Sequence, residues 1–501
     1  RDFCLSRGLG DVYKRQLMGH SGEGFISGIA VFNYNVGAIF VIIFVSLFFL
    51  PFYIKSGIYT IPEYLGRRFD NRSRKYFSFI TIIGNVFLDA GAALYTGALI
   101  LKIIFPEIDM MWIIIGMALM AGTYTIIGGL SSAINADMIQ SIILIAGSVL
   151  LSIFCFNSVG GWENFVEHFH DGVWLNLIRP NSDTTVPWFS IFLSIPILGF
   201  YFWGNNQVIV QRVMSAKTVN EGRLGFLFVA FLYVFTLFIF IAPGMVGRMI
   251  DLFGVGDTLP NEIIDGNTLR AQYGIDTNEV YPRLILKLLP VGLIGVMIAC
   301  MVSALTSTLS ATLSSVSTLF TMDFYKSWRP ESSPRHLVRV GQWTSFIALV
   351  VAVLWAPLIG KFASLVAYYQ EFSSYLAPPI VGTFLVGLFW KGSTRNGAFA
   401  GLMSGLAMSA LIMTYKFGFG GVVPFHFLLW VPILLILSVL VNIIVSKCDR
   451  NKETDVETYT WNKSVWQDDT RELKTVPWYK NFRYISIALI IIALLEYWWF
   501  F

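Results

Sequence analysis

Apolar runs of around 20 residues, separated by short polar or glycine-rich breaks, recur along almost the whole chain. A hydrocarbon core about 30 Å thick needs about 20 apolar residues per crossing helix. The runs therefore predict spans near 27–53, 76–105, 110–128, 137–158, 188–211, 225–249, 289–321, 337–360, 364–390, 397–417, 424–446 and 482–501. That makes about twelve complete spans, preceded by a fragment of another. Barrel strands alternate over about ten residues, whereas these runs are longer and uniformly apolar, so the spans are helices. The pattern predicts an all-α polytopic membrane protein.

The polar minority sets its orientation. Of the 501 residues 55% are hydrophobic and 13% charged, with a mean hydropathy of +0.66, which excludes a water-soluble fold. Basic residues fall in every second connection: Lys55, Arg67, Arg68, Arg72, Arg74 and Lys75, then Arg212, Lys217 and Arg223, then Lys326, Arg329, Arg335 and Arg339, then Lys391 and Arg395, then Lys447, Arg450 and Lys452. By the positive-inside rule the loops 55–75, 212–223, 326–339, 391–396 and 447–481 are cytoplasmic and the chain sits in the plasma (inner) membrane. The long connections 159–187 and 250–288 are then external. The net charge of +4 is a topology signal, and with no groove-binding or RNA-binding motif it implies a lipid bilayer and no nucleic acid as partner. Four scattered cysteines exclude a disulfide framework, and His168 and His170 in a polar loop read as solvated rather than as a metal site. The first sixteen residues, RDFCLSRGLGDVYKRQ, are basic and lack the apolar core of a signal peptide; they read as a translated adapter or cloning scar, with the native start missing and one transmembrane domain over 17–501.

Polar residues inside the spans carry the candidate chemistry, because burying them in lipid is costly unless they meet a cavity or a partner. In 303–318 hydroxyl residues dominate, and Ala304, Ser307, Thr308 and Ser310 fall on or beside one helical face. Such oxygens suit a hard cation such as Na⁺; a small-residue packing face is the alternative. Asp137, at the start of a span, serves either as a helix cap or as a cation relay. Asp89 lies mid-span without a basic neighbour in that span, which predicts that it faces a polar cavity. Two segments are interrupted: 188–211 by Pro196, Gly199 and Gly204 ahead of Asn205, Asn206 and Gln207, and the N-terminal fragment by Gly19, Ser21, Gly22, Gly24 and Gly28. Paired interrupted helices are what inverted-repeat secondary transporters place at a midplane site.

Several ordered blocks then carry a family resemblance: Gly57 to Phe69, Tyr124 to Gln140, Trp203 to Arg212, Ser317 to Tyr325 and Gly387 to Lys391. In these the chain resembles the sodium:solute symporter family, in its sodium/glucose cotransporter branch. The resemblance implies a leucine-transporter-type fold with two inverted five-helix repeats, about 17–158 and 188–390, and extra helices over 397–501. It also implies Na⁺-coupled solute uptake by alternating access. Carried onto this sequence, one Na⁺ site involves Ala304, Ser307 and Thr308 together with helix-one carbonyls preceding Gln16, so the chain as it stands is expected to bind Na⁺ poorly. A second Na⁺, or an exit path, involves Asp137 and Ser310, and Ala311 stands where relatives with two sites place another serine. The substrate positions fall at Gln16, Asn35, Asp89, Phe202, Trp203, Tyr233 and Gln370, and gating positions at His20 and Tyr34.

A sugar needs both donors and acceptors for its hydroxyls. Asn35 and Tyr233 stand where sugar-binding relatives have Glu and Lys, Phe202 where they have Tyr and Gly199 where they have a polar residue, while Trp203 and Gln370 are retained. The expected substrate is thus a sugar or polyol, with inositol, sialic acid or another small organic nutrient as the alternative; an anion is disfavoured because the region of Asp89 offers no arginine. No cofactor is implied, Na⁺ serving as coupling ion and as the sole metal. A non-transporting sensor would need a signalling domain, and the tail 447–481 carries no catalytic motif. No nucleophile–base pair marks a membrane enzyme.

Overall fold

The computed structural model describes residues 9–500 apart from 57, 59, 171, 182, 184, 215, 217, 257–258, 261, 422–424, 450–458 and 475; the side chains of 9–16, 55–56, 124–138, 211–212, 214, 417, 464–465, 468 and 472 are also outside the description. The polar breaks of the sequence become helix caps. Asp70 accepts from the Ser73 amide at 3.0 Å, Ser364 from Ala367 at 3.0 Å and Thr394 from Gly397 at 3.2 Å, each satisfying a first-turn N–H.

In chain order the helices used below are α1 (Leu9–Ser27), α2 (Phe32–Phe48), α3 (Asn71–Ile83), α4 (Gly91–Ile104), α5 (Met110–Ser158), α6 (Ile195–Phe200), α7 (Gln207–Met214), α8 (Val219–Tyr233), α9 (Ala242–Met249), α10 (Val291–Leu319), α11 (Pro334–Ile359), α12 (Leu365–Phe389), α13 (Arg395–Met413), α14 (Phe427–Cys448) and α15 (Phe482–Trp499). Short π-helical turns interrupt the long runs: Gly84–Ala90 joins α3 to α4, Tyr201–Asn205 follows α6, and Leu237–Ile241 precedes α9. Each adds a residue to a turn and re-aims the side chains after it, a device common at functional sites.

Among the described residues ten helices are long and apolar enough to cross a membrane, and the pair Val219–Tyr233 and Leu237–Met249, bent by 47°, makes an eleventh when counted as one span. The expectation was about twelve spans plus a fragment; the all-helical architecture is as expected, and the count differs in how neighbouring helices are grouped. Leu17–Phe48 counts as one apolar stretch although α1 and α2 within it are separate helices, and the expected spans 110–128 and 137–158 both lie in the 49 residues of α5. Helix α5 also continues through 129–136, where a connection was expected; that segment contains no proline to stop it. Helix α1 already runs through residues 9–16, within the segment read as foreign. Gly28 ends it with φ 68°, and a Cβ there would lie 2.3 Å from the Trp174 carbonyl oxygen, so both backbone angle and space require glycine.

The connections expected on one side of the membrane meet at one end of the bundle. Buried Arg68 donates to the carbonyls of Gly387 (3.0 Å), Trp390 (3.4 Å) and Ser393 (3.3 Å), closing the C-terminal end of α12. Arg72 bonds Asn396 at 2.8 Å and Arg74 pairs with Asp323 at 2.5 Å. At the other end the loop 159–187 packs on the exit of α1: the Ile29 amide donates to Trp174 at 3.0 Å and Arg179 to the Ser27 carbonyl at 2.7 Å. Burial pulls the Arg179 guanidinium down to about 10, with Asp183 opposing the shift.

Candidate functional site

Helix α1 passes α9 with backbones almost touching. A Cβ at Gly24 would stand 2.4 Å from the Ile241 carbonyl oxygen and one at Gly244 2.0 Å from that of Ser21. Small residues permit this approach, as at close helix crossings in membranes. Beside the crossing lies a cavity of about 150 Å³. A cavity of that size elsewhere admits a single six-membered ring.

Three helices each give this cavity a stripe at i, i+3, i+4 and i+7, one helical face. Asp89, Ala92, Ala93 and Thr96 come from the π-turn and α4; Ile195, Leu198, Gly199 and Phe202 from α6 and its π-turn; Val366, Tyr369, Gln370 and Ser373 from α12. Gly19 and His20 of α1, Tyr34 of α2, Tyr201, Trp203 and Tyr233 complete the polar and aromatic wall. Tyr369, Phe202, Trp203 and Tyr233 form an edge-to-face chain, with ring centroids 6.3, 5.3 and 5.7 Å apart in turn. His20 is 5% exposed and its Nδ1 has no hydrogen-bond partner among the described atoms.

The turn that carries Asp89 is held from outside the cavity. Tyr368 donates its hydroxyl to the Phe87 carbonyl at 2.9 Å and accepts from Trp355 Nε1 at 2.7 Å, while Asn85 donates to Ser315 Oγ of α10 at 2.9 Å. Tyr368→Phe leaves both the carbonyl and the indole N–H without this partner. A loss of about 1–3 kcal/mol is expected for such buried groups, read as a lower melting temperature of the purified protein; an unchanged melting temperature would show that the chain of bonds contributes nothing.

Of the expected substrate positions, Asp89, Phe202, Trp203, Tyr233 and Gln370 meet in this one cavity, as do the gating positions His20 and Tyr34. Asn35 does not. Its side chain is fully buried: Nδ2 donates to Thr236 Oγ1 at 2.7 Å, and that hydroxyl donates to the Tyr233 carbonyl at 2.6 Å, while Oδ1 has no partner among the described atoms. The side chains of Gln16 and Asp137 lie outside the described residues. Tyr201, Tyr369, Thr96 and Ser373 were not foreseen. The repeat of Gln370 to Ser373 and of Asp89 to Thr96 at helical spacing was the signal available for two of them. Glu23, another buried carboxylate, hydrogen-bonds to Ser364 just before α12.

On α10, Ala304, Ser307, Thr308 and Ser310 are all buried, at 0–3% exposure. Ala304, Ser307 and Thr308 share one face at i, i+3 and i+4, and α10 packs against α1. Ser307 also borders a second, more open cavity with Gln140, Ser303 and Thr306, where Gln140 donates to Ser303 Oγ at 2.5 Å. The hydroxyl row thus lies between α1 and α5, and Leu305 of the same helix lines the ring-sized cavity.

A model of the sodium:solute symporter family matches residues 4–405. Solute carrier family 5 member 4 of Rattus norvegicus is 32% identical over 468 residues, which are 86% of this chain and 69% of that protein. Sodium/glucose cotransporter 1 of Oryctolagus cuniculus is 30% identical over 465 residues, 86% of this chain and 70% of its own length. Among solved structures, a Na⁺-coupled sialic acid symporter in a substrate-bound, outward-open state aligns with a TM-score of 0.72 at 22% identity, over 90% of each chain. A nucleobase-cation-symport-1 family transporter in a closed conformation aligns with a TM-score of 0.52 at 13% identity, over 91% of this chain and 95% of the other. At these identities the structural likeness establishes the fold, which is the leucine-transporter type.

Proposed function

The chain belongs to the sodium:solute symporter family, and on that premise we propose that it couples Na⁺ entry to the uptake of a small sugar or polyol across the plasma membrane by alternating access. The observation that carries this reading is the ring-sized cavity where α1, the interrupted α6 and α12 converge, beside the buried hydroxyl face of α10. Interrupted helices free backbone groups that lipid would not tolerate but a bound solute or ion satisfies. Tyr201, Tyr369, Thr96 and Gln370 offer donors and acceptors to solute hydroxyls, and Trp203 and Phe202 offer apolar surface to a ring. Ala304, Ser307 and Thr308 hold Na⁺ with oxygen donors, the Ala304 contribution being its carbonyl.

The basic end of the bundle, at Arg68, Arg72 and Arg74, is the cytoplasmic end, and the loop 159–187 covers the external mouth. Gln370 and Asp89 line the same cavity and bind the solute, while His20 and Tyr34, on the α1–α2 side, close over it. Asp137 and Ser310 belong to a second ion position or to the route by which Na⁺ leaves. The test is uptake of labelled glucose, galactose, sorbitol, myo-inositol and sialic acid by cells expressing the full-length protein, with Na⁺ replaced by K⁺ as the control. Na⁺-dependent uptake of at least one neutral member supports the reading; uptake that K⁺ sustains equally, or uptake of sialic acid alone, refutes it.

A further inference from the structure

Resting on the symport reading, we propose that Asn85 is a positioning residue linking the two sites: its hydrogen bond to Ser315 makes the turn carrying Asp89 ride on α10, so that Na⁺ binding aims the Asp89 stripe into the solute cavity. Asn85 is 3% exposed and Ser315 4%, and the Asn85 amide donates to Ser315 Oγ at 2.9 Å. Ser315 lies seven residues beyond Thr308, two turns along the face of α10 that also carries Ala304. Asn85 lies four residues before Asp89, in the turn Gly84–Ala90. One bond thus joins the helix of the hydroxyl row to the segment that lines the cavity with Asp89, Ala92, Ala93 and Thr96.

The turn depends on such an anchor. In it the Gly91 N–H reaches five residues back, to the Val86 carbonyl, where an α-helix reaches four. Removing the extra residue from that ring would turn the side chains beyond it by about 100°, the angle between successive residues of a helix. Two long-range bonds hold the register instead of local sequence: Tyr368 of α12 fixes the Phe87 carbonyl, and Asn85 fixes the start of the turn on α10. A second level of bonding keeps α3 and α10 together. Ser78 of α3 donates to Asp323, in the turn Phe320–Tyr325 that continues α10, and Arg74 pairs with the same carboxylate. Bonded at two levels and close-packed between them, the two helices transmit a shift rather than absorb it. Helix α10 also packs against α1, so Na⁺ at its hydroxyl face fixes its place and the turn follows. Coupling requires one element that both sites bias. The turn is that element, met by the solute at Asp89 and by Na⁺ through Ser315.

Accessibility of the stripe to a small thiol reagent tests this with Na⁺ alone, so the solute need not be known. The reporter is Ala92→Cys in the full-length protein with its other cysteines replaced by alanine, reacted with methyl methanethiosulfonate in Na⁺ or in K⁺ at equal ionic strength. Na⁺ is expected to raise the reaction rate about fivefold or more, the lower end of coupling between sites. Asn85→Ala and Ser315→Ala are each expected to remove that difference, and the two together to remove no more than either alone. Ser315→Thr keeps the hydroxyl and is expected to retain it. In all of these proteins the Na⁺-induced rise in melting temperature is expected to persist, because the donors of the ion on α10 are untouched. A bond that is merely structural gives the opposite split, a lower melting temperature with the Na⁺ dependence of the rate intact, and that result overturns the proposal. So does a reporter protein that Na⁺ stabilises without changing its rate. If Na⁺ moves neither the rate nor the melting temperature, the symport reading falls and this one with it. Should Asn85→Ala fail to fold, Ser315→Ala against Ser315→Thr decides the matter.

Discussion

Thr308→Val is expected to raise the Na⁺ concentration for half-maximal uptake about tenfold or more while leaving the amount of protein at the membrane unchanged. Thr308 is fully buried on α10, one turn from Ala304 and next to Ser307. Valine keeps nearly the same volume and removes one oxygen. A bond from a neutral group to an ion is worth about 1.5–3 kcal/mol, or about tenfold to a hundredfold in affinity. The matched control is Thr306→Val on the same helix. The Thr306 hydroxyl donates to the Val302 carbonyl of its own helix at 2.9 Å, so its removal should move the Na⁺ dependence by less than about twofold. Equal effects of the two substitutions would show that α10 needs its hydroxyls for packing rather than for Na⁺, the alternative that the sequence left open. Uptake against the Na⁺ concentration, normalised to surface protein, is the measurement.

Gly244→Ala and Gly24→Ala are expected to remove the folded protein from the membrane altogether. At each position the added carbon would meet a carbonyl oxygen of the crossing helix, at 2.0 Å and 2.4 Å. Overpacking against side chains costs about 1–3 kcal/mol because side chains yield. Here the obstruction is main chain on both sides, and α1 would have to leave α9, opening the ring-sized cavity. Gly295→Ala is the control, since nothing stands within 4 Å of its Cβ; in a helix that change is neutral or stabilising by about 0.5–1 kcal/mol. Monodispersity in detergent and the melting temperature distinguish the two classes. A Gly244→Ala protein that is monodisperse with an unchanged melting temperature would mean that α1 and α9 do not cross this closely.

The helices and their polar ends were legible because hydropathy and capping are local. Asp70, Ser364 and Thr394 sit where a polar break precedes an apolar run, and each caps a helix there. The interrupted segment around Gly199 and Gly204 proved to contain a π-turn bordering the cavity. Bends and joins were less legible, since hydropathy does not register that the single expected span 225–249 is bent by 47° between Val219–Tyr233 and Leu237–Met249 or that α5 continues through 129–136. A π-turn depends on one extra residue per turn and has no composition of its own.

Asp89 was readable because a carboxylate in an apolar run has few bland explanations. Tyr201 and Tyr369 were not, because a tyrosine in a membrane helix reads equally as packing or as an interfacial anchor. Asn35 shows the converse: its polarity marked it, but a hydroxyl 201 residues away, on Thr236, takes its amide, and no local pattern announces a partner so distant. The same holds for Glu23, whose partner Ser364 is 341 residues off.

Coupling is the central claim, and it is tested most directly by reconstituting the full-length protein in liposomes loaded with K⁺ and diluting them into Na⁺ with a labelled solute that the uptake panel identifies. Accumulation above the equilibrium level, collapsing when a Na⁺ ionophore dissipates the gradient and absent when K⁺ is on both sides, is the predicted result. Entry that stops at equilibrium whatever the Na⁺ gradient would contradict coupling and make the protein a solute channel or uniporter on a symporter fold.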